Sequence, residues 1–131
     1  MNDERLNRPT GKIFDLTERT AVFSEKIILF IQKSPRNLIS VPLLSQLIRS
    51  VTSIGANYCE ADHAESKKDF EHKLGICKKE ANETKYWLRL IAKTNPEQRS
   101  DIVLLWREAD ELRRIFISMI LTSQKNRLNN H

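Results

Sequence analysis

Residues 47–61 read LIRSVTSIGANYCEA, and this stretch decides the fold. Apolar side chains recur in and before it every three or four residues, which is the spacing of one buried face of an α-helix. Short polar side chains recur beside that face. The apolar face comprises Leu44, Leu47, Val51, Ile54, Tyr58 and Ala61, and the polar one comprises Gln46, Ser50, Ser53, Asn57 and Glu60. Because buried polar atoms persist only where they find partners, the pattern predicts a central helix that is covered on both sides.

The composition favours a single all-α domain. The chain has 131 residues, of which 40% are apolar and 30% charged, and this balance excludes both a disordered chain and a membrane protein. It contains three glycines and no Asn-Gly or Asp-Gly hairpin signal, so little supports strands. No apolar run approaches the roughly 20 residues of a membrane helix, and the charged N-terminus is not a signal peptide. We therefore expect a cytoplasmic protein without membrane contact, in which Cys59 and Cys77 are buried free thiols.

Start and stop signals divide the chain into four helices. Asp15 with Glu18 resembles a capping box at the start of helix one, and Pro35 ends that helix after Ser34. Ser40 followed by Pro42 predicts the start of helix two, which runs to between Asp62 and Glu65. The remaining signals are Ser66 with Asp69 for helix three, which ends near Lys93, and Asn95 with Pro96 for helix four, which ends near Ser123.

Short links between four helices favour antiparallel neighbours, hence an up-down-up-down bundle. The bundle should occupy residues 14–124. Residues 1–13 would form a flexible N-terminal arm, and residues 125–131 a flexible polar tail.

Three segments of the chain are similar to one protein family. They are Ser53–Glu60, Ser66–Phe70 and Lys79–Thr84, within a resemblance that extends from Phe14 to Leu121. On these residues the chain resembles the four-helix-bundle proteins encoded in intervening sequences of bacterial 23S ribosomal RNA genes. The resemblance implies closed rings of subunits, commonly homopentamers, and an association with ribosomal RNA or another structured nucleic acid. It implies no catalytic site and no cofactor.

The charge pattern points to helix three as a nucleic-acid contact. Residues 66–94 contain eight Lys and Arg against four Asp and Glu, whereas residues 95–124 contain four against five. A row of cations neutralises phosphates and gives binding that depends on salt and not on sequence. A solvated helix face is the alternative interpretation. The predicted contacts are Lys67, Lys68, Lys73, Lys78, Lys85, Arg89 and Lys93, with the ends of the chain (Arg5, Arg8, Lys12, Lys125 and Arg127) as further cations.

Other residue patterns suggest chemistry more weakly. Glu60 and His63 have the Glu-x-x-His spacing of di-metal bundles, but such a site needs two copies and this chain has one. We expect Glu60 to be a buried hydrogen-bond acceptor and His63 a helix-end residue. Glu80 and Glu83 are expected to be structural, accepting hydrogen bonds from Ser53, Asn57 or an arginine of a neighbouring helix. For Tyr86, Trp87 and Trp106 we expect packing in the core or between subunits, with stacking on bases as the alternative.

These patterns together predict a non-enzymatic, homo-oligomeric bundle that binds structured RNA or another nucleic acid through phosphates. Some apolar side chains remain for contacts outside a single bundle: Ile28, Leu29, Leu43, Ile48, Trp87, Leu90 and Ile115. The first alternative is a structural or protein-interaction scaffold without nucleic-acid binding. A metal-dependent enzyme that uses Glu60 and His63 is the remote one.

Overall fold

The computed structural model describes residues 15–130, and within them it contains four α-helices and one short 3₁₀ turn. The helices are α1 (Leu16–Lys33), α2 (Ser40–Asp62), α3 (Lys67–Thr94) and α4 (Arg99–Asn129), and the 3₁₀ turn is Pro96–Gln98. They form a four-helix bundle. The predicted N-terminal arm, residues 1–13, and the cations Arg5, Arg8 and Lys12 lie outside the described residues. No helix in residues 15–130 is both long enough and apolar enough to cross a membrane.

The apolar stripes predicted from the sequence form one continuous core. The stripe of α2 is buried along its whole length, from Leu44 to Ala61. Those of α3 and α4 are buried from Leu74 to Ile91 and from Ile102 to Phe116, and α1 contributes Leu16, Phe23, Ile27 and Phe30. Burial of these side chains is the main force that holds the helices together.

Two of the predicted helix caps are confirmed. The carboxylate of Asp15 accepts a hydrogen bond from the backbone N–H of Glu18 at 3.0 Å, and the hydroxyl of Ser66 accepts one from Asp69 at 3.0 Å. Each bond satisfies a backbone donor that has no partner inside the helix. α2 and α3 are therefore separate helices, since α2 ends at Asp62 and α3 begins after its cap, Ser66. His63 is the C-terminal cap of α2, in agreement with its expected place at the end of a helix.

The predicted start of α2 at Ser40 is confirmed, but Ser40 does not cap the helix. Ser40 is the first residue of the helix and is buried, whereas Asn37 caps it: the Asn37 Oδ1 accepts the N–H groups of Ile39 and Ser40, each at 2.9 Å. The Ser40 hydroxyl instead donates to the carbonyl of Pro35 at 2.9 Å. Pro42 still falls in the first turn, where its missing N–H costs no helical bond.

Both ends of α4 also differ from expectation. Asn95 does not cap this helix with its side chain; it ends α3, and the 3₁₀ turn precedes Arg99. At the other end, α4 continues through Asn129 and not to Ser123, so residues 125–129 of the expected tail are helical. The guanidinium of Arg127 donates two hydrogen bonds to Glu71 of α3, both at 3.1 Å, which favours the additional turns.

The helices do not pack equally against one another. α3 lies against both α2 and α4, α1 lies against α2, and α1 contacts α4 much less. A groove of about 530 Å³ remains between α1 and α4, lined by Leu29, Phe30, Leu104 and Leu105 among other residues. Lys26 and Lys33 lie on its α1 side, and Asp101 and Glu108 on its α4 side.

The polar face of α2 is less buried than its pattern indicated. Ser50 is buried and shares a 2.9 Å hydrogen bond with Thr84 of α3, but Gln46 and Glu60 are exposed. The same correction applies to one cysteine: Cys77 is buried, whereas Cys59 is exposed, and both are free thiols. Gln46, Cys59 and Glu60 are thus exposed, although they lie near an apolar stripe in the sequence.

Candidate nucleic-acid interface

The seven cations predicted on α3 fall into two groups. Lys67, Lys68, Lys78, Arg89 and Lys93 are exposed to solvent. The ammonium of Lys73 lies 2.9 Å from the carboxylate of Glu60, and that of Lys85 lies 2.8 Å from Asp110. These two lysines are therefore engaged in ion pairs within the bundle, while the other five face water. The assignment of all seven to nucleic acid stays a prediction.

Asp110 of α4 is the centre of a cationic cluster. Its Oδ1 lies 2.8 Å from Lys85 and 3.1 Å from Arg113, and its Oδ2 lies 3.0 Å from Arg114. The hydrogen bond from Lys85, followed by the one from Arg113, lowers the pKa of the Asp110 carboxyl below its usual value. One carboxylate thus faces three cations, so the cluster keeps a net charge of +2 with every pair formed.

The cluster continues along α3 into a longer basic surface. The bond between Lys85 and Asp110 sets the two helices side by side, and Lys78 and Arg89 lie seven residues before and four after Lys85, on the same side of α3. Lys93 follows one turn beyond Arg89. We call this surface the basic ribbon; it consists of Lys78, Lys85, Arg89 and Lys93 of α3 with Arg113 and Arg114 of α4.

The two arginines of α4 were not among the predicted contacts. Residues 95–124, the predicted helix four, have a net charge of −1, and this total concealed how the charges are distributed. Glu108 and Glu111 face α1, where they lie 2.8 and 3.2 Å from Arg19. The cations Arg113 and Arg114 lie beside α3. Plotting the charges of α4 around its axis would have separated the two sets.

An aromatic side chain lies in the middle of the basic ribbon. Trp106 is 38% exposed, and the ammonium of Lys85 sits 4.4 Å from the centre of its ring. Trp87, by contrast, packs against the core; its Nε1 is buried and finds no hydrogen-bond partner within the described part of the chain. The exposed Tyr86 meets the edge of Trp87, with ring centres 5.1 Å apart. Core packing is therefore confirmed for Trp87. Tyr86 and Trp106 lie outside the core, so packing between subunits and stacking on bases both stay predictions for them.

The acidic pair of α3 holds two helices together. Arg49 of α2 donates to Glu80 at 3.2 Å and also to Glu83, so the interpretation that an arginine of a neighbouring helix binds these carboxylates is confirmed. The bond to Glu83 raises the pKa of Arg49. Ser53 and Asn57 are not partners of the pair, since the Asn57 amide donates to the Ser53 hydroxyl at 3.0 Å and to its carbonyl at 2.8 Å.

Glu60 and His63 do not meet other ligand types. Glu60 is not the buried acceptor that we expected; it is exposed, and it pairs with Lys73, whose pKa it raises. The Nδ1 of His63 lies 3.0 Å from the carbonyl oxygen of Cys59. Residues 15–130 bring together no group of three His, Cys, Asp or Glu side chains that could hold a metal ion.

Comparisons with known proteins agree with this fold. Residues 13–118 match the family described as 23S rRNA-intervening sequence protein. A similar solved structure is the 1.70 Å crystal structure of a protein of unknown function from the S23 ribosomal protein family of Bacteroides thetaiotaomicron. The two sequences are 33% identical, and the two structures superpose with a TM-score of 0.70. The similarity covers 79% of this chain and 96% of that one. No curated protein matches the chain. Since the family match spans most of the sequence, this protein belongs to the 23S rRNA-intervening sequence protein family.

Proposed function

We propose that this protein is a non-enzymatic, cytoplasmic homo-oligomer that binds structured RNA or another nucleic acid through phosphate contacts at the basic ribbon. The observation that carries the proposal is the excess of cations around Asp110. Lys85, Arg113 and Arg114 share this one carboxylate, and the exposed side chains of Lys78, Arg89 and Lys93 extend the positive surface. A surface of this kind attracts a phosphate backbone and releases its counterions.

Contacts of this type recognise shape more than sequence. Guanidinium and ammonium groups bind phosphate oxygens, which are the same at every nucleotide. The family name refers to an rRNA-intervening sequence, which makes RNA the nucleic acid to test first. The expected ligand is thus a folded RNA that presents closely spaced phosphates to α3 and α4.

The proposal includes an antiparallel up-down-up-down bundle assembled into a ring, with the pentamer as the expected form. Contacts between neighbouring helices support the topology: Glu60 meets Lys73 while Arg49 meets Glu83, so position rises along α2 as it falls along α3. Exposed apolar side chains that line the groove between α1 and α4, Leu29 and Leu104, support association.

Native mass spectrometry before and after nuclease treatment tests the assembly. We expect a closed homo-oligomer in both samples and additional, nuclease-sensitive mass in the first. A single chain as the main species at micromolar concentration would contradict the ring.

Binding of a structured RNA over a salt series tests the function. We expect the logarithm of the association constant to fall linearly with the logarithm of salt concentration, and the double variant Lys78→Glu with Arg89→Glu to flatten the slope by roughly 1.5. The matched control is Arg36→Glu with Lys79→Glu, which reverses the same number of charges at exposed positions outside both the basic ribbon and the groove. Absence of binding at low salt would refute the function, and an equal effect of both variants would refute the ribbon as its site.

A scaffold without a nucleic-acid role is the second candidate. The groove between α1 and α4 favours it, because Leu29 and Leu104 remain more than half exposed there. The same salt series separates the candidates, since a scaffold would leave RNA free even at low ionic strength.

A further inference from the structure

Trp106 is a partly exposed aromatic side chain that lies among the cations of the basic ribbon. Its indole is 38% exposed, and the ammonium of Lys85 lies over the ring, 4.4 Å from its centre. Lys85 is in turn held by its 2.8 Å bond to Asp110. The ring is thus kept in place by a fixed cation, so little side-chain freedom is left to lose when a ligand covers it.

The surroundings restrict what can cover the ring. An apolar protein surface placed on Trp106 would have to remove water from the cations of the basic ribbon without returning any negative charge, which is unfavourable. A nucleotide supplies what this surface lacks. Its base offers a flat aromatic face for the indole, and the phosphates on either side of the base offer anions to the cations of the basic ribbon.

We infer that Trp106 stacks on an unpaired base of the bound RNA, while the cations of the basic ribbon neutralise the phosphates next to that base. The inference rests on the proposed function and narrows its ligand. The bases of a continuous duplex are already stacked on one another, so the RNA must present a single-stranded loop, bulge or end to α4. With Trp106, the basic ribbon would distinguish unpaired from paired RNA, which contacts to phosphates alone do not.

The experiment uses the fluorescence of Trp106 in the full-length chain. Trp87→Phe leaves Trp106 as the sole tryptophan, because the sequence contains two. The probes are a 12-nucleotide oligouridylate, an abasic ribose-phosphate oligomer of equal length and a blunt RNA duplex. We expect the oligouridylate to quench Trp106 and the other two to bind without quenching it. Stacking with a base brings the two rings into contact, whereas phosphates alone do not.

Substitutions at Trp106 measure the contribution of the stack. Trp106→Leu keeps apolar bulk but removes the aromatic face, so its affinity for oligouridylate should fall about 5- to 100-fold, the effect of losing one base–aromatic stack. Its affinity for the abasic oligomer should not change. Trp106→Phe should retain most of the affinity. Circular dichroism and thermal melting check that both variants fold, and the quenching experiment does not depend on either.

The outcomes separate this inference from the proposed function. If oligouridylate binds with a normal salt dependence but neither quenches Trp106 nor distinguishes Trp106→Leu, the stack is refuted and the phosphate contact stands. If acrylamide cannot quench Trp106 in the free oligomer, the ring is covered by another subunit and the inference is also refuted. If no probe binds at low salt, the proposed function itself is wrong.

Discussion

Replacing Asp110 by asparagine should tighten RNA binding while it weakens the fold. The carboxylate accepts hydrogen bonds from Lys85 and Arg113 and pairs with Arg114, at distances between 2.8 and 3.1 Å for the closest atoms. Asp110→Asn removes the single negative charge among these groups. The local charge of the cluster then rises from +2 to +3, and one or more cations become available to phosphates.

The cost in stability follows from the burial of the pair. The side chains of Lys85 and Asp110 are 17% and 13% exposed, whereas that of Arg114 is 73% exposed and adds little. We expect a loss of about 1–2 kcal/mol in the free energy of unfolding near pH 7. Because Lys85 lowers the pKa of Asp110, this contribution is present above the unfolded value of 3.8 and is lost as pH falls through the folded value. The stabilities of the two proteins should therefore converge in acid.

The gain in affinity is set by one additional charge near the phosphates. One unit charge at about 4 Å in water changes the interaction by about 1 kcal/mol, so binding should tighten about 3- to 10-fold at low salt and depend more steeply on salt. Urea unfolding from pH 3 to 7 and RNA titrations measure the two effects. Glu111→Gln, on the α1 side of α4, is the control for the same charge change. Weaker binding by a folded Asp110→Asn protein would contradict a role for these cations in RNA contact.

Three further predictions concern single contacts. Burial raises the pKa of Cys77 to about 12, which lowers its thiolate population at pH 8 by roughly 1,000-fold relative to an ordinary thiol. An aromatic disulfide reagent should therefore label the exposed Cys59 at once and the buried Cys77 only on unfolding. Equal labelling rates would refute this. Gly75→Ala places a Cβ that meets nothing within 4 Å, and should raise the unfolding free energy by about 0.5–1 kcal/mol in urea titrations. Arg49→Met leaves the carboxylate of Glu80, a residue only 7% exposed, without its cation, and should cost about 1–2 kcal/mol. Adding Glu80→Gln should recover part of that loss, and no recovery would contradict the pairing.

Most of the fold could be predicted because hydrophobic periodicity reports directly which face of a helix is buried. The stripes of α2 and α3 lie where their spacing put them, from Leu44 to Ala61 and from Leu74 to Ile91. Helix ends were less predictable. The cap of α2 is supplied by Asn37, three residues before Ser40, and this depends on how the link between helices folds back on itself. A residue type at one position does not determine that geometry.

The candidate site was predicted only in part, because a count of charges per helix does not show which side chains pair across helices. The count identified α3 correctly as the basic element, and Lys78, Arg89 and Lys93 are exposed on it. It could not show that Lys73 and Lys85 are held by Glu60 and Asp110, since those partners lie on other helices. The burial of polar groups on α2 was overestimated for a related reason: Gln46 and Glu60 share the spacing of Ser50 but are exposed, and Glu60 meets α3 only through its ion pair with Lys73.

The distribution of charge on α4 bears on whether self-association and RNA binding are compatible. One edge of this helix is acidic and faces α1, with Glu108 bound to Arg19; the other edge is basic and lies beside α3. The groove that leaves apolar side chains exposed opens on the acidic edge, with Lys26 on its α1 side and Asp101 on its α4 side. A subunit that covered the groove would meet apolar surface and charges of both signs, which suits protein–protein contact. A subunit that covered the basic ribbon would meet cations with a single carboxylate among them, and so the proposed ring should close through the α1 side and leave the ribbon in solvent.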